Sequence, residues 1–190
     1  MVTIRNEAPA DVAGREALLD AAFGDVRFTK TAERLREGRL PADGLSFVAR
    51  TRAGVVGTVR LWDVSAGPGR PALLLGPLAV AAPERNRGIG QALVRHALRA
   101  ARRAGYAAVL LVGDEPYYGR FGFSKGKTDA LWLPGPYERE RLLACELQPG
   151  ALEGARGLIG ATGRPEPKPD FRALWAAAVH NDNTHARHAA

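Results

Sequence analysis

A strand that breaks at a glycine turn and passes straight into a helix constrains this chain more than any other feature. The segment is Leu78-Ala-Val-Ala-Ala-Pro-Glu-Arg-Asn-Arg-Gly-Ile-Gly-Gln91. Upstream, Ala72 to Ala82 is an almost unbroken apolar run, the pattern of a central strand covered on both faces. Downstream, Ala92, Leu93, Val94, Ala97, Leu98 and Ala101 form one apolar stripe between Gly90 and Ala104. Arg95, Arg99, Arg102 and Arg103 fall largely elsewhere, and Gly105 ends the helix. Gly88 and Gly90 let the main chain approach a ligand closely, and unpaired amides at a helix start attract an anion. Arg85 and Arg87 add charge-assisted donors. The turn therefore reads as a phosphate or pyrophosphate site, although a purely structural connection would use the same residues.

Two other phosphate motifs do not fit. A P-loop requires Lys followed by Ser or Thr after its glycines, and neither pair occurs here. A dinucleotide fingerprint needs a third glycine and a position near the first strand, whereas Leu93 takes that place and the motif lies mid-chain.

Around this segment the rest of the chain supplies a mixed sheet. Thr3 to Arg5 reads as a first strand, and Asp11 to Phe23 as a helix with Val12, Leu18, Leu19 and Phe23 on its apolar side. Thr31 to Gly38 suggests a second, short helix. Leu45 to Arg50 and Val55 to Val64 read as strands joined at Ala53-Gly54. The second alternates Val56, Thr58, Arg60 and Trp62 against Val55, Gly57, Val59 and Leu61. Ala66 to Pro71 is a loop, Ala107 to Val112 a buried strand, Pro116 to Phe121 a helical turn, and Leu142 to Leu147 a late strand. This order implies an α/β fold with helices on both faces of the sheet. From Gly160 the chain reads as a linker, followed by a short helix over Phe171 to His180. The domain is thus expected over residues 1–160 and a tail over 161–190.

Composition narrows the partners. The 190 residues suit one domain, and no stretch reaches the roughly 18 apolar residues of a membrane span. The N-terminus lacks a signal-peptide pattern, and the single Cys145 leaves no disulfide framework, so the cytoplasm is expected. Net charge is +7, from 27 Lys and Arg residues of which 23 are Arg. That surplus suits compositional bias or attraction of an anionic ligand. No basic run interleaved with aromatics argues for nucleic acid.

The Arg85-Asn-Arg-Gly-Ile-Gly90 turn matches the R/Q-x-x-G-x-G/A signature of the GNAT acetyltransferases. Tyr117-Tyr118-Gly-Arg-Phe-Gly-Phe123 resembles that family's tyrosine-then-glycine-phenylalanine element. With Leu75-Gly-Pro-Leu-Ala-Val80 and Gly113-Asp114, the chain is similar to a bacterial branch of predicted N-acetyltransferases of undefined substrate, over roughly residues 3 to 160. The resemblance implies a mostly antiparallel central sheet and acetyl-CoA as co-substrate. It places backbone groups of Leu78, Ala79 and Val80 along the pantetheine arm, and the turn from Arg85, Asn86, Arg87, Gly88 and Ile89 through Gly90 to Gln91 around the pyrophosphate. An amide near Val80 is the implied oxyanion donor, and Tyr118 the acid for the leaving thiolate. The implied reaction is direct attack by a primary amine of a small molecule or peptide. A catalytically silent acyl-CoA-binding module is the alternative. Asn86 departs from a common glycine, but Asn tolerates left-handed backbone. Relatives also suggest a homodimer through late strands.

The base is less determined. Asp114 sits where an amine could be deprotonated, or caps the following helical turn; Glu115 and a water chain are the alternatives. Cys145 reads as a buried strand residue, His96 as packing, and Tyr117 as packing. Trp62, Trp132 and Tyr137 are weighed for the acceptor side, and Arg120 for a coenzyme A phosphate or an ion pair. The tail histidines have no metal-site spacing, and no metal is expected.

Overall fold

A computed structural model describes residues 1–167. Eight strands form one sheet system: β1 (Thr3–Asn6), β2 (Ser46–Thr51), β3 (Gly54–Ala66), β4 (Pro71–Val80), β5 (Ala108–Val112), β6 (Leu131–Trp132), β7 (Leu142–Glu146) and β8 (Gly157–Ala161). The main order is β1-β2-β3-β4-β5-β7, with β8 pairing both β3 and β6. Every pair is antiparallel except β4 with β5 and β6 with β8. Helix α1 (Val12–Phe23) lies on one face and α2 (Ile89–Arg103) on the other, while α3 (Glu115–Tyr118) follows β5.

The α2 face holds the larger core. Leu93, Val94, Ala97 and Ala101 bury against Val59, Leu61, Leu73 and Leu75, with Val109, Leu111 and Leu143 alongside. The helix sits close because Gly57 has no side chain: a Cβ there would lie 2.9 Å from the Leu93 Cδ1 and 3.3 Å from the Ala49 Cβ. Beneath the opposite face, Trp62, Val64, Leu74, Leu110 and Ile159 form a second core, and Leu18, Leu19 and Ala79 a third under α1.

Two irregularities interrupt the ladders, and the second lies where β4 and β5 part. Between β2 and β3 the register slips at Ala49 and Arg50. Alternation read from the sequence holds from Gly57 to Trp62 but reverses before it: Val56 joins the α2-side core, and Val55 packs toward α1. Between β3 and β4, Val59 opposes Leu78 while Leu61 opposes Leu75, so β4 carries one residue more than its partner around Gly76-Pro77. Beyond that bulge β4 leaves β5; their parallel pairing is confined to Leu73 with Val109 and Leu74 with Leu110.

Two expectations change, and a third is not reached by the described residues. Thr31 to Gly38 is not an α-helix; residues Thr31–Leu35 form a 3-10 turn. There the Thr31 hydroxyl bonds the Pro136 carbonyl and Arg34 Nη1 the Pro134 carbonyl at 2.9 Å, so tertiary partners set its shape. Gly160 is not the start of a linker. Gly157–Ala161 is β8, Leu40 N donates to Arg164 O at 2.8 Å, and Glu166 N donates to Gly38 O at 2.8 Å. The main chain thus stays bound to the domain through Glu166. The helix expected over 171–180 lies outside the described residues.

Candidate active site

The glycine turn has the backbone an anion site needs. Asn86 at φ 61° and Gly88 at φ 78° are both left-handed, and Gly88 is the N-terminal cap of α2 without a side-chain cap of its own. Asn86 thereby takes the geometry expected of it. No amide from Asn86 to Gln91 donates to a backbone carbonyl, the first such bond being Ala92 N to Gly88 O at 2.9 Å. These donors point their partial positive charge at the start of a 15-residue helix. Arg85 Nε donates to Val80 O at 3.2 Å, which ties the turn to the end of β4. Arg87 is exposed and pairs with Glu84 at 2.6 Å.

β4 presents a free edge beside this turn. Ala81 N donates to Val56 O at 2.9 Å. In an antiparallel ladder, neighbouring residues turn their backbone groups to opposite sides. Val80 and Leu78, paired with Gly57 and Val59, therefore aim theirs away from β3 and into the gap left by β5. Ala79 faces Thr58 within the ladder and packs its side chain under α1, so of the three β4 residues Leu78 and the Val80 N–H are turned to the gap, the Val80 carbonyl being taken by Arg85.

Tyr117 and Tyr118 stand edge to edge beside the gap with different neighbours. A Cβ on Gly90 would lie 2.9 Å from the Tyr117 hydroxyl, so that phenol sits over the first turn of α2. Tyr118 packs flat against Gly113, where a Cβ would lie 2.8 Å from its Cδ2, and makes edge contacts with Tyr117 at 4.9 Å and Phe123 at 5.9 Å. Burial, then the neighbouring Tyr117 and Asp114, pushes the Tyr118 pKa up to about 12. Its hydroxyl is fully protonated at neutral pH and so is always in the donor form.

On the α1 side of the sheet a cavity of about 590 Å³ lies between β4, β5 and the segment from Arg27 to Arg36. Leu78, Asp114 and Tyr118 all line it, as do Trp62 and Tyr137. The turn from Arg85 to Gln91 does not, because it lies across the sheet by α2. Trp62 is fixed by its indole N–H, 2.6 Å from the Gly76 carbonyl. Trp132 is elsewhere: half-exposed on β6 under the Arg139 guanidinium.

Asp114 caps α3 through its carbonyl, which accepts from Tyr117 N and Tyr118 N at 2.9 and 3.0 Å. No side-chain cap forms; the carboxylate is exposed at the cavity rim, 3.2 Å from Arg141 Nε. Glu115 is occupied, accepting from Lys125 N at 3.2 Å. Cys145 is buried on β7, its thiol pKa raised by burial. His96 packs edge-on to Phe47 at 4.7 Å. Arg120 lies 5.1 Å over the Tyr117 ring and, with Arg95, Arg99 and Arg102, lines a second hollow of about 280 Å³. Among the described residues no cluster of His, Cys, Asp and Glu has a metal site's arrangement, and no helix is long and apolar enough to cross a membrane. Sequence reasoning missed the arginines at 27, 36 and 60 that line the larger cavity, because scattered cations in loops carry no periodic signal.

Known proteins resemble this chain in sequence and in fold. Residues 42–125 match the family model for the acetyltransferase (GNAT) domain. The chain is 34% identical over 158 residues to the N-acetyltransferase YhbS of Escherichia coli K12, covering 82% of this chain and 93% of the relative. A crystal structure of Escherichia coli YhbS in complex with CoA matches with TM-score 0.72 and 32% identity, over 84% of this chain and 89% of that one. A GNAT acetyltransferase of Brucella melitensis in complex with acetyl-CoA matches with TM-score 0.59 and 26% identity, over 90% and 98%.

Proposed function

We propose, from the premise that this chain belongs to the GNAT N-acetyltransferase family, that it transfers the acetyl group of acetyl-CoA to a primary amine held in the 590 Å³ cavity. The observation that carries the reading is the pairing of six unsatisfied turn amides, Asn86 to Gln91, with the free β4 edge at Leu78 and Val80. The similar structures from Escherichia coli and Brucella melitensis contain CoA and acetyl-CoA, which supports assigning that edge and turn to the coenzyme.

Acetyl-CoA supplies the activated acyl group. The amides from Asn86 to Gln91 hold the pyrophosphate, and Arg87 adds charge at its rim. Val80 N–H faces the gap and stabilises the oxyanion as the incoming nitrogen bonds to the carbonyl carbon. As the C–S bond breaks, the electron pair passes to sulfur and the Tyr118 hydroxyl donates to it. The proton released by nitrogen passes to Asp114 at the cavity rim, directly or through water. Holding both substrates across one gap itself contributes several kcal/mol, of the roughly 7–11 available from positioning.

The test is thiol release from acetyl-CoA with a panel of amines, alongside calorimetry on Gly88→Asp. A carboxylate at a left-handed cap facing the pyrophosphate should abolish acetyl-CoA binding while the circular dichroism spectrum is kept. Unchanged binding would remove the turn from the site.

A further inference from the structure

The cations lining the 590 Å³ cavity are not equivalent. Arg27 pairs with Glu16 at 2.7 Å and Asp20 at 2.8 Å, Arg60 with Glu7 at 2.5 Å, and Arg141 with Asp114 at 3.2 Å and Glu138 at 3.6 Å. Each of these charges already has a carboxylate. Arg36 does not have one in good geometry. Its side chain is 10% exposed, its Nε donates to Ala32 O at 3.1 Å, and the nearest carboxylate, Glu33, stands 3.5 Å from Nη1. Neither Nη atom is a fully buried orphan among the described residues, so the guanidinium keeps access to the cavity that it lines.

A charge taken out of water is costly unless an opposite charge and hydrogen bonds replace the solvent. Burial outweighs Glu33 here and pulls the Arg36 pKa down. Lys30, over the Phe23 ring at 4.8 Å, and Arg34 stand on the same wall and make the potential there still more positive. Two guanidinium N–H groups in one plane match the two oxygens of a carboxylate or phosphate. Tyr118 and Leu78, at the gap where transfer takes place, line the same cavity.

We propose that the acceptor amine also carries an oxoanion, a carboxylate or a phosphate, and that Arg36 binds it. This rests on the acetyl-transfer reading above and names its substrate class. The guanidinium grips the anionic end and leaves the amine free to reach the gap beside Tyr118. A neutral amine of the same body lacks that grip.

The experiment measures thiol release from acetyl-CoA with matched amines on wild type, Arg36→Gln and Arg36→Lys. Amino acids are compared with their amides and decarboxylated counterparts, and O-phosphoethanolamine with ethanolamine. In wild type the anionic members should have kcat/KM about tenfold or more above their neutral partners, the size of one charged hydrogen-bonded contact. Arg36→Gln should erase the difference through KM, and Arg36→Lys should restore part of it. Acetyl-CoA affinity by calorimetry should be equal in all three proteins. The carboxylate and phosphate arms show which oxoanion is meant. Neutral amines acetylated as well as anionic ones, a preference that survives Arg36→Gln, or no anionic amine accepted while acetyl-CoA binds, each overturns the inference alone. Absence of acetyl-CoA binding in wild type overturns the parent reading as well.

Discussion

At the scale of single residues, the two adjacent tyrosines have different neighbours, so the reading proposed above gives them different tasks. The Tyr117 hydroxyl lies over the start of α2, and Tyr118 lines the 590 Å³ cavity. Tyr118→Phe removes one hydroxyl without changing the ring that packs on Gly113. We expect kcat to fall by ~100-fold, within the usual range for a lost acid, with acetyl-CoA affinity kept; equal turnover would remove the role. With its pKa near 12, Tyr118 should contribute no alkaline limb to the pH–rate profile below pH 10, whereas deprotonation of the amine should set the acid limb. The signature residues from Arg85 to Gly90 were legible because a helix start, glycines and arginines converge on one chemistry. Arg36 was not, since its meaning comes from burial in the folded wall of the cavity and from a single carboxylate, Glu33, that stands 3.5 Å away.

At the scale of elements, the end of β5 and the start of α3 work as one unit. Gly113 leaves room for the Tyr118 ring, and no flexible side chain stands between them to give way. Gly113→Ala should push the ring from its place, cost about 1–3 kcal/mol by overpacking, and lower kcat with little change in acetyl-CoA affinity. Thermal unfolding together with initial rates checks both halves. Long elements were readable from sequence: α2, β3 and β4 have strong periodicity or continuous apolar runs. Short ones were not. The two residues of β6 carry no pattern, and β8 straddles the linker start expected at Gly160, since Gly157, Gly160 and Gly163 flank only Leu158 and Ile159. The bulge in β4 did leave a mark, Gly76-Pro77 inside an apolar strand, because Pro lacks a ladder donor.

At the scale of the molecule, the first strand is locked to the sheet by a buried carboxylate. Asp11 accepts from Ala8 N at 2.9 Å and pairs with Arg5 and Arg50, joining β1, the turn at Pro9 and the end of β2. The Ala8 amide, then these arginines, holds its pKa below the usual 3.8. A lowered folded-state pKa stabilises above the unfolded value and loses that contribution as pH falls through the folded one. Asp11→Asn should therefore lower the melting temperature at pH 7, and the gap from wild type should stay open down to pH 3.8 and close only below it. A gap independent of pH would mean that packing, not charge, is what Asp11 provides. On the outer edge of β7, Ser124 and Ala144 exchange backbone bonds at 2.9 and 3.1 Å.

The extra residue at Gly76-Pro77 reaches beyond the strand that holds it. By parting β4 from β5 after two paired residues, it turns a continuous wall into a window. In the reaction proposed here the nucleotide end of the donor would lie beside α2 and the acceptor would come in past α1, to meet at the sill. On that proposal neither compound would have to leave before the other arrives, and the outgoing thiol and the new amide would each have a way out of their own.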